Sequence, residues 1–184
     1  MNMKDKGTLR AATFDDCVEA TALLVRLGLT MPEGDEAIRA YFNNLWNTNP
    51  AIQAAKSNPA LGWVLEDAGK MVGFFGNVPL LYEFAGQPVI VSDASLWGVD
   101  ENYRTEAPRL ADAYFGQTNV DLLMVTTAIK PTRRIFERHG ASMVAQPDLD
   151  QVLFWVIDGG GFVRAGLRKK GHGGMASFFG GILG

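Results

Sequence analysis

Any chemistry in this chain has to be built without the usual nucleophile or metal sets. The single cysteine, Cys17, lies on an apolar helical segment with no histidine near it in sequence, and no serine, histidine and aspartate stand together as a hydrolytic set. The two histidines, His139 and His172, are distant from each other and make no metal site. His139 precedes Gly140 at an expected helix end, where a cation suits the helix dipole, and it reads as a surface residue. What remains are carboxylates in strand-like runs, arginines in helical runs, and a helix start behind the polar loop DENYRTEA. Successive N–H groups at such a start, helped by the dipole, can hold an anion.

The elements that must position these groups follow from periodicity. Thr8 to Ala12 is strand-like, and Thr13 with Asp16 forms a capping box ahead of a helix marked by Val18, Ala22, Val25 and Leu29. A second helix is expected from about Asp35 to Trp46, and a short third one around Ile52 to Lys56, bracketed by Pro50 and Pro59. From Gly62 to Val99 the pattern becomes an antiparallel meander, with a tight turn at Asp67 to Lys70 and a second at Gly86 to Pro88. Pro79, inside the long run, signals a bulge, an edge or a break. A helix is expected from about Pro108 to Gly116, then a strand buried on both faces in the apolar run Val120 to Ile129. Pro131 and Gly140 bound another helix, and SMVAQPDLDQVLFWVID closes with two more strands. The class is α/β: a mixed, mostly antiparallel sheet of about six to seven strands flanked by helices. Trp63, Trp97 and Trp155 lie in strand runs and read as core residues.

Bulk properties narrow the functions. With 184 residues, 47% hydrophobic and 20% charged, the chain fits one globular domain over 1–158 plus a tail over 159–184. The tail is rich in glycine and is expected to be flexible. A membrane-surface or partner-docking segment is its second reading, because Arg164, Arg168, Lys169 and Lys170 sit beside Phe178, Phe179, Ile182 and Leu183. A net charge of −3 gives no general attraction for nucleic acid. No apolar run reaches the roughly 18 residues needed to cross a bilayer, and the N-terminus does not read as a signal peptide. The lone cysteine suits a reducing compartment, so a cytoplasmic location is expected.

Two stretches carry a family resemblance. SLWGVDENYRTEAPRLADAYF, Ser95 to Phe115, resembles the fourth strand, loop and helix of the GNAT acyl-CoA N-acyltransferases, which hold the pyrophosphate of acetyl-CoA there. Val99, Asp100, Tyr103 and Arg104 match the approach to that loop. The loop departs from the family's glycine-rich form: it reads Arg104, Thr105, Glu106, Ala107, Pro108, Arg109, with Thr105 and Ala107 at glycine positions. Pro108 lacks one N–H donor, Glu106 adds a negative charge, and Arg109 could offset that charge or meet a phosphate. TTAIKPTRRIFERHGASMV, Thr126 to Val144, resembles the fifth strand and following helix, which pack along the pantetheine arm and the adenine side. Phe136 stands where many members carry a proton-donating tyrosine, and Ile129 where many carry an asparagine.

The resemblance implies transfer of an acetyl or other acyl group from acyl-CoA to the amine of a small molecule, with no metal. It implies a base on or near the fourth strand, for which Asp93 is the candidate by placement and Glu83 the runner-up. It implies donor contacts from Trp97, Gly98, Val99, Arg104, Thr105, Glu106, Ala107, Pro108, Arg109, Thr127, Arg133 and Phe136. A solvated basic face explains Arg133 and Arg134 equally well. The late strands are where such domains often pair, which leaves room for a homodimer. The competing class is a catalytically inactive domain of the same shape, used for binding or scaffolding.

Overall fold

A computed structural model of the chain describes residues 6–55, 58–126, 130–144 and 159–169. The chain divides into two compact units, Met1–Ser142 and Met143–Gly184.

The first unit opens with strand β1 (Thr8–Ala11), a 3-10 turn over Phe14–Asp16, and three helices: α1 (Cys17–Arg26), α2 (Asp35–Leu45) and α3 (Pro50–Ala54). The capping box forms as its spacing requires, with the Thr13 N–H donating to Asp16 Oδ2 at 2.7 Å. Arg10 then ties β1 to this turn and to the next strand, donating to Asp16 at 2.7 Å and to Glu66 at 2.6 Å. Strands β2 (Gly62–Asp67), β3 (Lys70–Phe84) and β4 (Gln87–Val99) form the expected meander. A 3-10 run over Glu101–Glu106 leads into α4 (Ala107–Phe115), followed by β5 (Leu122–Val125) and α5 (Lys130–Arg138). Gly140, with φ of 83°, ends α5 as a left-handed glycine stop.

The five strands lie in chain order, β1-β2-β3-β4-β5, antiparallel except for the parallel β4–β5 junction. Five strands are thus found among the described residues, against the six to seven expected. The two closing strands were expected largely on residues 145–158, outside the described ones, as is Trp155. β5 is shorter than the apolar run suggested and is not buried on both faces, since Leu122 is 54% exposed.

Alternation along the strands feeds two cores. Val64, Met71 and Phe74 pack with Ala20, Leu23 and Leu24 of α1 and Ile38 and Phe42 of α2. Trp63, Leu65, Val72, Phe75 and Ala94 pack on the other face with Leu110, Ala111 and Tyr114 of α4 and Phe136 of α5. Pro79 occupies an edge: β2 reaches only Gly76 of β3, so the missing N–H at Pro79 leaves no gap in a ladder. Asn49 caps α3 through the Ala51 N–H and pins β3, donating to Leu45 O at 2.8 Å and Pro79 O at 2.7 Å. The 67–70 and 84–87 turns place Ala68, Gly69, Ala85 and Gly86 at positive φ, the pattern of tight hairpin turns.

In the second unit the described element is helix α6 (Gly159–Lys169), where the sequence pattern suggested no element. The three glycines at its start obscured the helical pattern. Residues 170–184, with the apolar end of the expected tail, lie outside the described ones. Among the described residues, no helix is long and apolar enough to cross a membrane.

Candidate functional site

β4 and β5 run side by side for four residue pairs, from Val91↔Leu122 to Ala94↔Val125, and there the pairing among the described residues stops. β4 continues to Val99, so among the described residues Ser95 to Val99 have β3 on one side and no strand partner on the other. Among the described residues, the pairing forks at this parallel junction. In parallel sheets this is where ligands bind, beyond the carboxyl ends of adjacent strands.

The fork coincides with a break in register. Phe75 faces Trp97 and Gly76 faces Ser95, which leaves Leu96 as an extra residue in β4 with φ of 54°. A β-bulge of this kind bends the strand and re-aims its side chains. Glycine at 76 permits it, because a Cβ there would meet Ser95 O at 3.0 Å and Leu96 Cβ at 3.3 Å. A non-glycine residue held at positive φ stores about 1–3 kcal/mol, and such outliers gather at functional sites.

Asp93 stands one residue before the end of the paired segment. Its neighbours Ser92 and Ala94 face α4, so the pleat turns Asp93 toward the face of α1–α3. The Thr126 hydroxyl, just past the end of β5, donates to its carboxylate at 3.0 Å from Oδ2 and 3.3 Å from Oδ1. Burial pushes the Asp93 carboxyl above the ordinary range, while hydrogen bonds from the Thr126 hydroxyl and backbone pull the other way. A half-buried carboxylate held at the mouth of a fork, with its proton affinity raised, can act as a general base.

Glu83 is not brought to this place. It pairs with Pro88 near the tip of the β3–β4 hairpin, exposed, whereas Asp93 pairs with Val78. Five residues of strand separate the two positions, about 17 Å.

Beyond the fork, Trp97 stacks on Phe75 with centroids 4.7 Å apart and packs against Phe136 at 5.5 Å. The Trp97 Nε1 is buried and has no hydrogen-bond partner among the described residues. Gly98 is pressed against α1, where a Cβ would meet Leu27 Cδ1 at 2.7 Å, so its role in the structure is close packing. Val99 is half-buried in the core shared with α4. Phe136 is 5% exposed and packs with Phe115 and Trp97, a core residue with no proton to offer.

The loop behind the fork is closed on itself. Residues Glu101–Glu106 coil as a 3-10 helix, so the Tyr103 N–H donates to Asp100 O and the Ala107 N–H to Arg104 O. Glu106 is turned inward, 6% exposed, and Arg109 meets it at 2.9 Å while also donating to the carbonyls of Lys6 and Gly7. Arg109 therefore offsets Glu106, one of the two roles its sequence position allowed. Thr105 is exposed, and Arg104 extends into solvent, 3.8 Å from Glu101. Pro108 is exposed in the first turn of α4. The Tyr103 hydroxyl is held by Asp67. Arg133, on the exposed side of α5, pairs with Glu137 at 2.7 Å, and Arg134 is also exposed. Thr127 and Ile129 lie outside the described residues.

Sequence reasoning did not single out Thr126, the partner of Asp93. It also missed the bulge at Leu96, which no local signal marks. His139 is not a plain surface residue: its ring stacks on Phe115 at 4.5 Å and its Nε2 lies 3.2 Å from Asp112.

Comparison with known proteins gives a fold. No protein-family model matches the chain, and no curated protein matches it in sequence. Solved structures do match. A glucosamine-6-phosphate N-acetyltransferase from Arabidopsis thaliana superposes with a TM-score of 0.55 at 14% identity, covering 80% of this chain and 97% of that one. A ribosomal-protein-alanine N-acetyltransferase from Brucella melitensis gives 0.55 at 15% identity, over 82% of this chain and 99% of that one. An aminoglycoside N-acetyltransferase solved with CoA gives 0.53 at 16% identity, over 85% and 97%. The chain has the GNAT acetyltransferase fold.

Proposed function

We propose, starting from that fold, that the protein is an N-acyltransferase which moves an acetyl or other acyl group from a thioester to the amine of a small molecule, with Asp93 as the base. The observation that carries this reading is that, among the described residues, the β4–β5 pairing ends just past a half-buried, Thr126-bound carboxylate of raised proton affinity.

The residues present fit one half of a CoA-type donor. The strand edge from Ser95 to Val99 and the orphaned Trp97 Nε1 suit the amides of a pantetheine arm, which can be bound as an added strand would be. At the loop Tyr103–Arg109 the Tyr103 and Ala107 amides and the Arg109 guanidinium are engaged within the chain, which leaves the exposed Arg104 as the loop's cation for a diphosphate. A bound thioester supplies the electrophilic carbonyl. The unpaired edge of β4 aligns that arm beside Asp93, and the bulge at Leu96 sets where the strand bends away. Asp93 accepts the proton from the attacking amine as the new C–N bond forms and the C–S bond breaks. With Phe136 in the core and the Tyr103 and Tyr114 hydroxyls hydrogen-bonded elsewhere, the sulfur leaves as a thiolate.

The closed loop is also what an inactive domain of the same shape would carry, so turnover is the deciding test. Thiol release from acetyl thioesters is followed with a panel of small amines. Amine-dependent release supports the reading, and its absence across the panel leaves the binding-module alternative.

A further inference from the structure

We propose that the segment from Gly159 onward docks the protein on an anionic phospholipid surface, through helix α6 and the residues that follow it. The proposal stands apart from the acyl-transfer reading above, because none of its residues belongs to that site.

Charge is spread unevenly along the chain. All 20 aspartates and glutamates precede Gly159. Within a protein of net charge −3, residues 159–184 therefore hold four cations, Arg164, Arg168, Lys169 and Lys170, and no acid. Anionic headgroups attract a basic cluster of this size at short range. The rest of the chain, which carries every acid, has a net negative charge that the same surface repels. The field therefore turns this segment toward the lipid and the remainder away from it.

Cations alone suit any polyanion, and the apolar residues among them select a lipid surface. By helical spacing, Phe162, Val163 and Leu167 of α6 fall on one side and Arg164 and Arg168 on another. Phe162 is 57% exposed. At 11 residues α6 is too short to span hydrocarbon, which takes about 20, so it suits the plane of the interface. Past Lys170 the sequence adds Met175, Phe178, Phe179, Ile182 and Leu183 and no further acid, lysine or arginine. Basic residues that hold a segment at the headgroups, with aromatic and aliphatic side chains entering the acyl boundary, make the two-part grip of peripheral membrane binding. A nucleic acid would use the cations and leave Ile182 and Leu183 without a role.

The test is co-sedimentation of the full chain with phosphatidylcholine vesicles, with and without phosphatidylserine, at low and high salt. A fluorescent DNA duplex is titrated alongside. The expected result is binding to the phosphatidylserine vesicles tighter by about tenfold or more than to phosphatidylcholine alone, weakening as salt rises. Arg168→Gln combined with Lys169→Gln removes two cations, each contributing about fivefold, and should lower that affinity by about 25-fold. Phe178→Ser combined with Phe179→Ser should weaken the binding that persists at high salt, where charge is screened. The parent's choice between the two vesicles decides the matter without any variant. Equal binding to both, binding to neither, or binding of the duplex in place of the vesicles overturns the proposal. Unchanged affinity in the Arg168 and Lys169 double variant overturns it as well, by placing the contact elsewhere.

Discussion

Replacing Asp93 with asparagine separates a catalytic carboxylate from a structural one. Asparagine keeps the shape and an oxygen that can accept from the Thr126 hydroxyl, 3.0 Å away, but it cannot take a proton. Loss of a general base lowers kcat by about 10²–10⁴-fold, equivalent to roughly 3–5 kcal/mol of barrier. Stability moves the other way. Because burial raises the Asp93 pKa in the folded state, ionised Asp93 is a destabilising feature. That cost is present above the folded-state pKa and vanishes below the unfolded-state value. Asp93→Asn is accordingly expected to melt no lower than the parent at neutral pH, and slightly higher, with the difference closing in acid. The assays are amine-dependent thiol release and thermal melts at matched pH. A variant with kcat within about threefold of the parent, or one that melts well below it at neutral pH, would show that the carboxylate holds structure and does no proton transfer.

Three further expectations follow from the geometry. In Thr126→Val the hydrogen bonds that pull the Asp93 pKa downward are reduced, so the acid limb of the pH–rate profile should move to higher pH; a limb that stays in place dissociates Thr126 from the base. Ala85→Asn places a residue suited to positive φ beside Gly86 in the hairpin turn, and melts should show about 0.5–1 kcal/mol of added stability. Asn49→Ala removes the α3 cap and leaves the Leu45 and Pro79 carbonyls without their donor, a loss of about 2–4 kcal/mol in denaturant unfolding.

The local signals in this sequence translated well into structure. Thr13 and Asp16 cap each other, Gly140 stops α5, and Pro79 sits where β3 has lost its β2 neighbour, because each depends on backbone demands a few residues long. Asp93 was placed through the resemblance, as a carboxylate on the fourth strand. Its partner Thr126 could not be placed, since the register between β4 and β5 is set by packing across the sheet. The same limit hid the bulge: Leu96 looks like any strand leucine, and only the pairing of Phe75 with Trp97 and Gly76 with Ser95 exposes it. Glu83 was misleading for a related reason, because the hairpin is long enough to carry it far from the fork. The closure of the Tyr103–Arg109 loop was half visible. Glu106 and Arg109 stand one helical turn apart, a spacing that favours mutual pairing over reaching for a ligand.

The order of the strands has a consequence for how the chain assembles. β2, β3, β4 and β5 each lie beside a neighbour that is close in sequence, whereas β1 reaches β2 only after the intervening chain has folded into α1, α2 and α3. Closing that long loop carries an entropic cost the meander does not, so the hairpins should nucleate first and the N-terminal strand dock late. Pulse-labelled amide exchange during refolding should protect Met71 to Gly76 before Thr8 to Ala11. Simultaneous protection of both would mean that the Arg10 clasp on Asp16 and Glu66 is already drawn shut in the transition state.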